Sequence, residues 1–501
     1  MSHRIRRSRW SPVVAALVAP AVLAGCSSGG DDADAAGDDA GAAEVALPDC
    51  PVDALGDVDP ADGPVQVDLW HTEIGLPGAA IDRIAQEYNA SQDRVVVRPQ
   101  FQGAVPEEMR KFSDAIGDPD SLPAMLSTDE TAIQFLADSG VVVPATSCLE
   151  ADPDAEALLG DLLPAVLSAN TIDDVLWPAA PIGLGAVMYQ NDAHLRAAGL
   201  DPSSPPETLD ELRDAAETLR DAGIAGVDAP VVMRVDAWLP EFWTTGAGEA
   251  VVDAENGHSG LAAESRYDNP ATQEVLDWID GMVDDGLLKL TDNADLVAAF
   301  LALGNGTASV LLDASAAIST VSAVVSGSLT PEQAGLESGG LPGGAPAELE
   351  ISVSPMPGLG GSGEGQVIGG GWYLVDNGDP AQVAASWDFM KFFLQTDQQV
   401  TWAIDSSYLP VQRAAIDSPR LQAYWTDTQP GRWMAVAFDG FASLDPNFPG
   451  PIIGPYAEFR LDVIQGIEQL ADGAADVDDT IATIDASFGD QLTSYRDDVG
   501  A

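Results

Sequence analysis

Four positions with ligand-binding potential stand early in the chain, at the ends of two apolar segments. Trp70 and His71 end the first segment, and Gln102 and Gly103 follow the second. An aromatic face can pack on the C–H face of a sugar ring, whereas His71 could equally form a hydrogen bond within its own loop. These residue types indicate binding of a polar organic ligand, provided that the two segments meet.

The segment 65–103 predicts a strand, a helix and a second strand that would bring these positions together. Apolar and polar residues alternate over 65–69, which is the period of a strand with one buried face. Apolar residues from Ile81 to Tyr88 then fall at i, i+3, i+4 and i+7, one stripe of an amphipathic helix. The run 95–97 predicts the next strand. A βαβ unit has parallel strands, and ligands bind beyond the carboxyl ends of such strands, so we predict an α/β protein with a site at this edge.

No motif indicates catalysis. The chain has four histidines, and it contains no H-E-x-x-H, C-x-x-C, G-x-S-x-G or Walker lysine pattern. A secreted glycoside hydrolase is the alternative from another class, and it would need two carboxylates flanking a glycosidic bond. No feature singles out such a pair among the 80 acidic residues. We therefore expect no catalytic residues, no metal and no cofactor.

Length and charge limit the function further. At 501 residues the chain predicts two domains, and its hydrophobic fraction of 46% is sufficient for well-packed cores. The net charge of −59 argues against nucleic acid or an anionic membrane surface as a partner. An acidic surface also serves solubility alone, so the charge by itself assigns no function.

Residues 1–25 predict a lipoprotein signal peptide. Four arginines precede an apolar stretch, 12–22, which is too short to span a bilayer. The sequence Leu23-Ala24-Gly25-Cys26 resembles the lipobox of bacterial lipoproteins, in which cleavage leaves Cys26 as the lipid-modified first residue. Residues 26–49 predict a disordered acidic tether. We therefore expect a lipid-anchored protein at the extracellular face of the cell membrane.

Two further cysteines, Cys50 and Cys148, remain after the predicted cleavage. An exported chain folds in an oxidising compartment, where an even number of cysteines is normally paired. We expect a Cys50–Cys148 disulfide, with two free buried thiols as the alternative.

The chain from about 65 to 495 resembles an extracellular solute-binding protein of the carbohydrate ABC-transporter type (family 1). Within that family it is most similar to the branch that includes the bacterial glycerol-3-phosphate-binding protein. The resemblance depends on the order and spacing of short matches: Leu69-Trp70-His71, Tyr88-Asn89, Phe101-Gln102-Gly103, Leu122-Pro123-Ala124, Met188-Tyr189-Gln190-Asn191, Ala198-Gly199-Leu200-Asp201, Ile368-Gly369-Gly370 and Tyr408-Leu409-Pro410.

The resemblance implies a two-lobed periplasmic-binding-protein-like (type II) fold, with a hinge and a ligand cleft between the lobes. Residues 50–181 with 366–409 would form lobe 1, and residues 182–350 with 411–501 would form lobe 2. The implied function is delivery of a sugar or polyol-type solute to the permease subunits of an ABC importer. A monomer is expected.

The resemblance also implies a set of ligand contacts. The predicted ligand-binding residues, including those argued from the strand ends, are Trp70, His71, Glu130, Trp238, Glu241, Ser315, Gly369, Gly370, Trp372 and Tyr408. Aromatic faces would pack on the solute, and carboxylates would accept hydrogen bonds from its hydroxyls.

The chain departs from that branch at two places. Gly183-Leu184-Gly185 replaces the expected serines, and the segment 438–442 carries no arginine where the branch has one near its carboxyl-terminal cleft segment. A phosphate dianion without a cation partner is costly to desolvate. A neutral oligosaccharide or a zwitterionic phosphodiester is therefore predicted ahead of glycerol phosphate itself. A binder of a glycerophosphodiester or glycerol phosphate stays the alternative to a sugar or polyol binder.

Overall fold

The structure is a computed structural model, and it describes residues 47–500 apart from 60, 62, 294, 296, 297, 327–348 and 362. The predicted signal peptide, Cys26 and nearly all of the predicted tether lie outside the described residues. None of the helices within the described ranges combines the length and apolar character needed to cross a bilayer.

The described residues form strands that build two main sheets and a hairpin, with helices packed around them. The strands are β1 Val65–His71, β2 Val95–Phe101, β3 Met125–Thr128, β4 Val142–Val143, β5 Thr171–Ile172, β6 Val175–Leu176, β7 Ala180–Leu184, β8 Ala186–Asn191, β9 Ala229–Arg234, β10 Leu288–Thr291, β11 Ala308–Ala314, β12 Ile351–Pro355 and β13 Ile368–Val375. The helices are α1 Gly75–Ser91, α2 Val105–Ala115, α3 Ile133–Asp138, α4 Ala145–Ala151, α5 Glu156–Leu159, α6 Pro164–Ala169, α7 Asp192–Ala197, α8 Leu209–Ala222, α9 Trp238–Gly246, α10 Asp253–Asn256, α11 Pro270–Asp284, α12 Ala298–Gly304, α13 Ala317–Val325, α14 Pro380–Phe393, α15 Thr396–Ser406, α16 Arg413–Ile416, α17 Pro419–Asp427, α18 Gln429–Ala442, α19 Tyr456–Ala471 and α20 Val477–Val499.

The predicted βαβ unit is confirmed as β1, α1 and β2. The two strands pair in parallel over their whole length, from Val65 opposite Val95 to His71 opposite Phe101. Val67 and Leu69 are fully buried, as the alternation predicts. Trp70 and His71 therefore stand at the carboxyl edge of the first sheet.

The two main sheets lie at the centres of two lobes. The first has the order β2-β1-β3-β13-β4, with β7 also paired to β13. The second has the order β10-β9-β11-β8-β12. In the first sheet β1 pairs in parallel with β2 and β3, and in the second sheet β9 pairs in parallel with β10 and β11. A parallel pair needs a crossover connection, and α1 supplies it between β1 and β2.

Gly185 is the point at which the chain passes from one sheet to the other. The sequence indicates a single strand over 177–188, and the structure divides that segment into β7 in the first sheet and β8 in the second. A Cβ atom on Gly185 would lie 2.9 Å from the Leu409 side chain and 3.0 Å from the Ala437 carbonyl oxygen. The crossing is therefore crowded, and only a glycine fits between its neighbours.

Local sequence signals explain where several helices begin and end. Thr208 caps α8 by accepting a hydrogen bond from the Glu211 amide, and Gly223 ends it with φ at +61°. Asn269 caps α11 in the same way, with Pro270 in the first turn, where a missing N–H does no harm.

Cys50 and Cys148 form the predicted disulfide, with their Cα atoms 4.9 Å apart. Both cysteines are buried in the main hydrophobic core beneath the first sheet. The bridge ties the segment that precedes β1 to α4.

Candidate ligand-binding site between the two sheets

An arginine joins the two halves of the molecule at the edges of the sheets. Glu130 lies two residues after β3 of the first sheet. Glu241 lies on α9, which follows β9 of the second sheet, and Arg460 lies on α19. Arg460 Nη2 donates to Glu130 Oε1 at 2.8 Å, and Arg460 Nε donates to Glu241 Oε2 at 3.0 Å. We call these three residues the Arg460 cluster.

Surrounding groups hold the Arg460 cluster in place. The Gly369 N–H donates to Glu130 Oε2 at 2.9 Å, and Tyr456 Oη donates to Glu241 Oε1 at 2.5 Å. The guanidinium lies over the Tyr456 ring, 4.6 Å from its centroid. Charge-assisted hydrogen bonds of this kind are shorter and stronger than neutral ones, and they orient both carboxylates toward one point between the sheets.

Burial and the neighbouring charges act in opposite directions on the pKa values of the cluster. Burial alone would raise the pKa of the Glu130 carboxyl, but the Arg460 guanidinium and the Gly369 N–H outweigh it, so this pKa lies below its ordinary value. Burial would lower the pKa of Arg460, and the Glu241 carboxylate outweighs that effect and raises it well above the ordinary value. Glu130 and Arg460 are therefore charged at neutral pH. By formal charge, two glutamates and one arginine give the cluster −1.

Arg460 places an arginine beside two predicted ligand contacts, Glu130 and Glu241, and the sequence analysis did not identify it. The segment 438–442 carries no arginine, and this one comes from α19, later in the chain. One signal was available: Arg460 follows Tyr456 by four residues, on a helix whose other face is made of buried apolar residues. A charged residue next to that buried face indicates a partner inside the protein.

Tyr408, a predicted ligand contact, is nearly buried, and its hydroxyl donates to Glu73 Oε1 at 2.5 Å. Glu73 follows β1, so this hydrogen bond connects the carboxyl edge of the first sheet with the segment after α15. Sequence reasoning missed Glu73, since an acid in a loop of so acidic a chain carries no distinguishing signal.

Gly369 and Gly370 occupy positions that require glycine. Their φ angles are +137° and +104°. A Cβ atom on Gly370 would lie 2.2 Å from the Thr128 carbonyl oxygen, and one on Gly369 would lie 2.7 Å from the Ile182 carbonyl oxygen. The close approach lets β13 present the Gly369 amide to Glu130.

Four other predicted site residues lie at the edges of the two sheets. Ser315 is fully buried, and it donates its amide hydrogen to the Gly185 carbonyl oxygen at 2.7 Å and accepts the Gly185 amide at its Oγ at 3.2 Å. His71 is buried, and its Nδ1 has no hydrogen-bond partner among the described residues. Trp70 and Trp238 are half-buried, each against the apolar core of its own lobe.

Trp372 does not lie with these residues, and its prediction as an aromatic of the cleft is wrong. Its side chain is 0% exposed and stacks on Phe393 of α14 with ring centroids 4.5 Å apart, while Trp402 of α15 packs edge-on against it. The ring therefore belongs to the core between the first sheet and its helices.

The described residues contain no group of three or more histidine, cysteine, aspartate or glutamate side chains that could hold a metal ion. The arrangement offers paired carboxylates, a guanidinium and half-buried aromatic faces. This set suits a polar ligand held by hydrogen bonds.

Comparison with known proteins identifies relatives of this chain. Residues 83–428 match the family described as bacterial extracellular solute-binding protein. The chain is 23% identical over 388 residues to the sn-glycerol-3-phosphate-binding periplasmic protein UgpB of Rhizobium meliloti (strain 1021), covering 76% of this chain and 82% of that protein. It is also 23% identical over 372 residues to UgpB of Brucella abortus (strain 2308), covering 72% and 78%.

Solved structures share the fold. The cyclic alpha-maltosyl-1,6-maltose binding protein from Arthrobacter globiformis superposes with a TM-score of 0.65 at 22% identity, covering 86% of this chain and 100% of the other. UgpB from Mycobacterium tuberculosis in complex with glycerophosphocholine superposes with a TM-score of 0.65 at 18% identity, covering 86% and 99%. With the family match over more than half of its length, this chain belongs to the bacterial extracellular solute-binding proteins.

Proposed function

We propose that this protein binds a sugar or polyol-type solute outside the cell and delivers it to the permease subunits of an ABC importer. The observation that carries the proposal is the Arg460–Glu130 ion pair, which joins α19 to the edge of the first sheet. A solute with several hydroxyls would enter between these groups, accept hydrogen bonds from the guanidinium and donate to the carboxylates. Closure of the lobes on the solute would then be stabilised by contacts with both sheets.

The proposed ligand contacts follow from position. Glu130, Glu241 and the Gly369–Gly370 backbone surround the point where the sheets meet, and Trp70, Trp238 and Tyr408 supply aromatic surface near the same edges. An aromatic ring removes the apolar face of a sugar from water at little cost in side-chain entropy. His71 and Ser315 stay in the proposal as residues at the strand ends.

A glycerophosphodiester or glycerol phosphate is the second candidate solute. Arg460 favours it, because a guanidinium can donate two parallel hydrogen bonds to phosphate oxygens. The curated relatives are named for glycerol 3-phosphate binding, and one solved neighbour holds glycerophosphocholine. The two glutamates beside Arg460 leave the cluster with a net negative charge, which favours a monoanionic or zwitterionic diester over a phosphate dianion.

We propose no catalytic role. A glycoside hydrolase needs one carboxyl as an acid and another as a base or nucleophile. Glu130 and Glu241 are both engaged by Arg460, and the pKa of Glu130 is lowered rather than raised. Glu130 is therefore not prepared to donate a proton at neutral pH.

The remaining parts of the proposal concern placement. We propose a monomer anchored to the outer face of the membrane by a lipid on Cys26, with 26–49 as a tether. We also propose a lobe division close to the predicted one, 50–181 with 366–409 and 182–350 with 411–501. Its first boundary moves to about Gly185, because β7 (Ala180–Leu184) pairs with β13 of the first sheet.

A thermal-shift screen tests the function directly. A ligand at one hundred times its Kd stabilises the native state by about 2.7 kcal/mol. We expect a rise in Tm with at least one neutral saccharide, polyol or glycerophosphodiester. If none of these classes raises Tm, while the protein unfolds cooperatively in the same buffer, the proposal is wrong.

A further inference from the structure

We propose that the solute carries an apolar alkyl or aryl substituent, which binds in a groove between the two lobes, next to the Arg460 cluster. The groove has a volume of about 640 Å³ and is lined by residues of α2, α3, α19 and α20, among them Met109, Phe135, Leu461 and Tyr495. We call it the helical groove. The inference rests on the proposed function, because it concerns one part of the same solute.

The helical groove belongs to both lobes. The helices α2 and α3 follow β2 and β3 of the first sheet. The helices α19 and α20 bury Phe459 and Phe488 in the core of the second lobe, where Val231 of β9 also lies. An occupant of the groove would therefore contact both lobes, and contacts made only in the closed arrangement stabilise that arrangement.

The helical groove is continuous with the Arg460 cluster. Thr131 follows Glu130 in the chain and Leu461 follows Arg460, and both of these neighbours line the groove. A second cavity, lined by Glu130 itself, has a volume of only about 10 Å³, which is room for at most one water molecule. A solute whose polar end contacts the cluster therefore needs space elsewhere for its remaining atoms, and the adjoining groove provides it.

Large apolar side chains of the helical groove are exposed. Leu461 is 52% exposed and Val499 is 40% exposed, and Met109 and Phe135 are half-buried in the same groove. Exposed apolar surface with a polar rim is typical of ligand-binding grooves. Each solute methylene that becomes fully buried there would tighten binding about fourfold.

Two charged side chains of the helical groove are already engaged within the protein. Tyr495 Oη and Gln134 Nε2 donate to Asp138 Oδ2 at 2.8 Å and 2.9 Å. Arg110 pairs with Asp114 at 3.0 Å. A second sugar ring would need polar groups that converge on its hydroxyls. The groove therefore suits an apolar substituent better than a further sugar.

Tyr495 joins the two lobes at the helical groove. Its hydroxyl reaches Asp138 of α3 from α20, across 357 positions of the chain. A Cβ atom on Gly454 would lie 2.2 Å from the Tyr495 ring, so glycine at this position lets the ring lie against the backbone. The other charged side chains that line the groove, Glu458 and Asp498, are acidic and disfavour an anionic substituent. The occupant is therefore neutral as well as apolar.

Titration calorimetry at pH 7.5 with two matched pairs of probes tests the inference. Methyl β-D-glucopyranoside is compared with hexyl β-D-glucopyranoside, and methyl β-D-maltopyranoside with hexyl β-D-maltopyranoside, each below its micelle-forming concentration. We expect the hexyl member of at least one pair to bind about tenfold more tightly or better, because several methylenes leave water.

Leu461→Ser should remove most of this preference, since it removes exposed apolar surface from the helical groove. Leu167→Ser is the matched control, because Leu167 is 44% exposed on α6 and does not line the groove. Both leucines lie at the surface, so both variants should stay folded. The heat-capacity change of binding is a second readout. It should be more negative for the hexyl glycoside than for the methyl glycoside, and Leu461→Ser should reduce the difference.

Equal affinities within both pairs would overturn the inference, and so would a hexyl preference that persists in Leu461→Ser. Failure of all four probes to bind would overturn it too, because the groove should hold a hexyl chain whichever sugar carries it. The proposed function is judged separately, by the thermal-shift screen. A dimer in sedimentation equilibrium that Leu461→Ser dissociates would assign the groove to a second copy of the chain and likewise overturn the inference.

Discussion

Arg460 Nη2 lies 2.8 Å from Glu130 Oε1, although 330 positions separate the two residues in the chain. The arginine side chain is 13% exposed and that of Glu241, its other partner, is 2% exposed. One buried cation thus compensates two carboxylates that belong to different lobes. Loss of the cation would leave both carboxylates without their main partner.

Arg460→Met should lower the free energy of unfolding by about 3–5 kcal/mol, because it leaves buried charge uncompensated. It should also weaken solute binding, since Arg460 donates toward the proposed site. Urea denaturation measures the first effect, and calorimetry with the best solute of the screen measures the second. Arg110→Met is the control, because the Arg110–Asp114 pair is 64% and 73% exposed and contributes little. Equal losses in the two variants would contradict the role of the Arg460 cluster.

Trp238→Ala should weaken solute binding by about 1–4 kcal/mol, the usual cost of truncating an aromatic anchor. The residue begins α9 and is half-buried, so the domain should stay folded. Trp238→Phe retains an aromatic face and should recover part of the affinity. Calorimetry measures binding, and far-ultraviolet circular dichroism checks the fold. Unchanged affinity in the alanine variant would show that Trp238 does not contact the solute and only packs in its lobe.

Replacing both Cys50 and Cys148 by serine should destabilise the protein by up to about 4.7 kcal/mol, the entropic value for a loop of roughly 100 residues. The two cysteines are separated by 98 positions, so the bridge closes a loop of that size. Non-reducing peptide mapping should recover the two peptides linked, and chemical denaturation should give the loss. Free thiols in protein purified without reductant would refute the pairing.

The contribution of Glu108 to the free energy of unfolding of the unliganded protein should fall as pH rises. Its pKa is about 8 in the folded state against an ordinary 4.5, so the unfolded chain loses this proton first. Between about pH 4.5 and 8 the folded state holds more protons, and the free energy of unfolding therefore decreases with pH. The effect amounts to about 1.4 kcal/mol per unit of pKa difference.

Glu108→Gln removes this titration. Tm measured from pH 5 to 9 should show the variant gaining stability relative to the parent protein as pH rises. Parallel Tm profiles of the two proteins over that range would contradict a raised Glu108 pKa.

Cys26→Ala should release the protein into the medium with solute binding intact, because it removes the attachment site of the proposed lipid. Membrane fractionation and mass spectrometry of the first residue of the mature chain provide the measurement. A variant that remains with the membrane and keeps an acyl chain would exclude Cys26 as the anchor site.

The sequence by itself determined the parts of this protein that depend on neighbours along the chain. The alternation over 65–69 and the helical stripe from Ile81 to Tyr88 specified β1 and α1, since burial of one face imposes the period of each element. The pair Cys50 and Cys148 was likewise predictable, because the exported context and the even number of remaining cysteines leave one pairing.

Only the tertiary structure decided on which face of a sheet each residue lies. It alone also decided which residues from distant segments become its partners. Every residue of β13 is buried, so its sequence has no polar alternation to distinguish the face that holds Trp372 from the one beside Glu130. Arg460 meets Glu130 only because α19 lies next to the segment that follows β3 of the first sheet. Helical or strand periodicity indicates which residues are buried. It does not identify a partner hundreds of positions away, because that partner depends on how the two lobes meet.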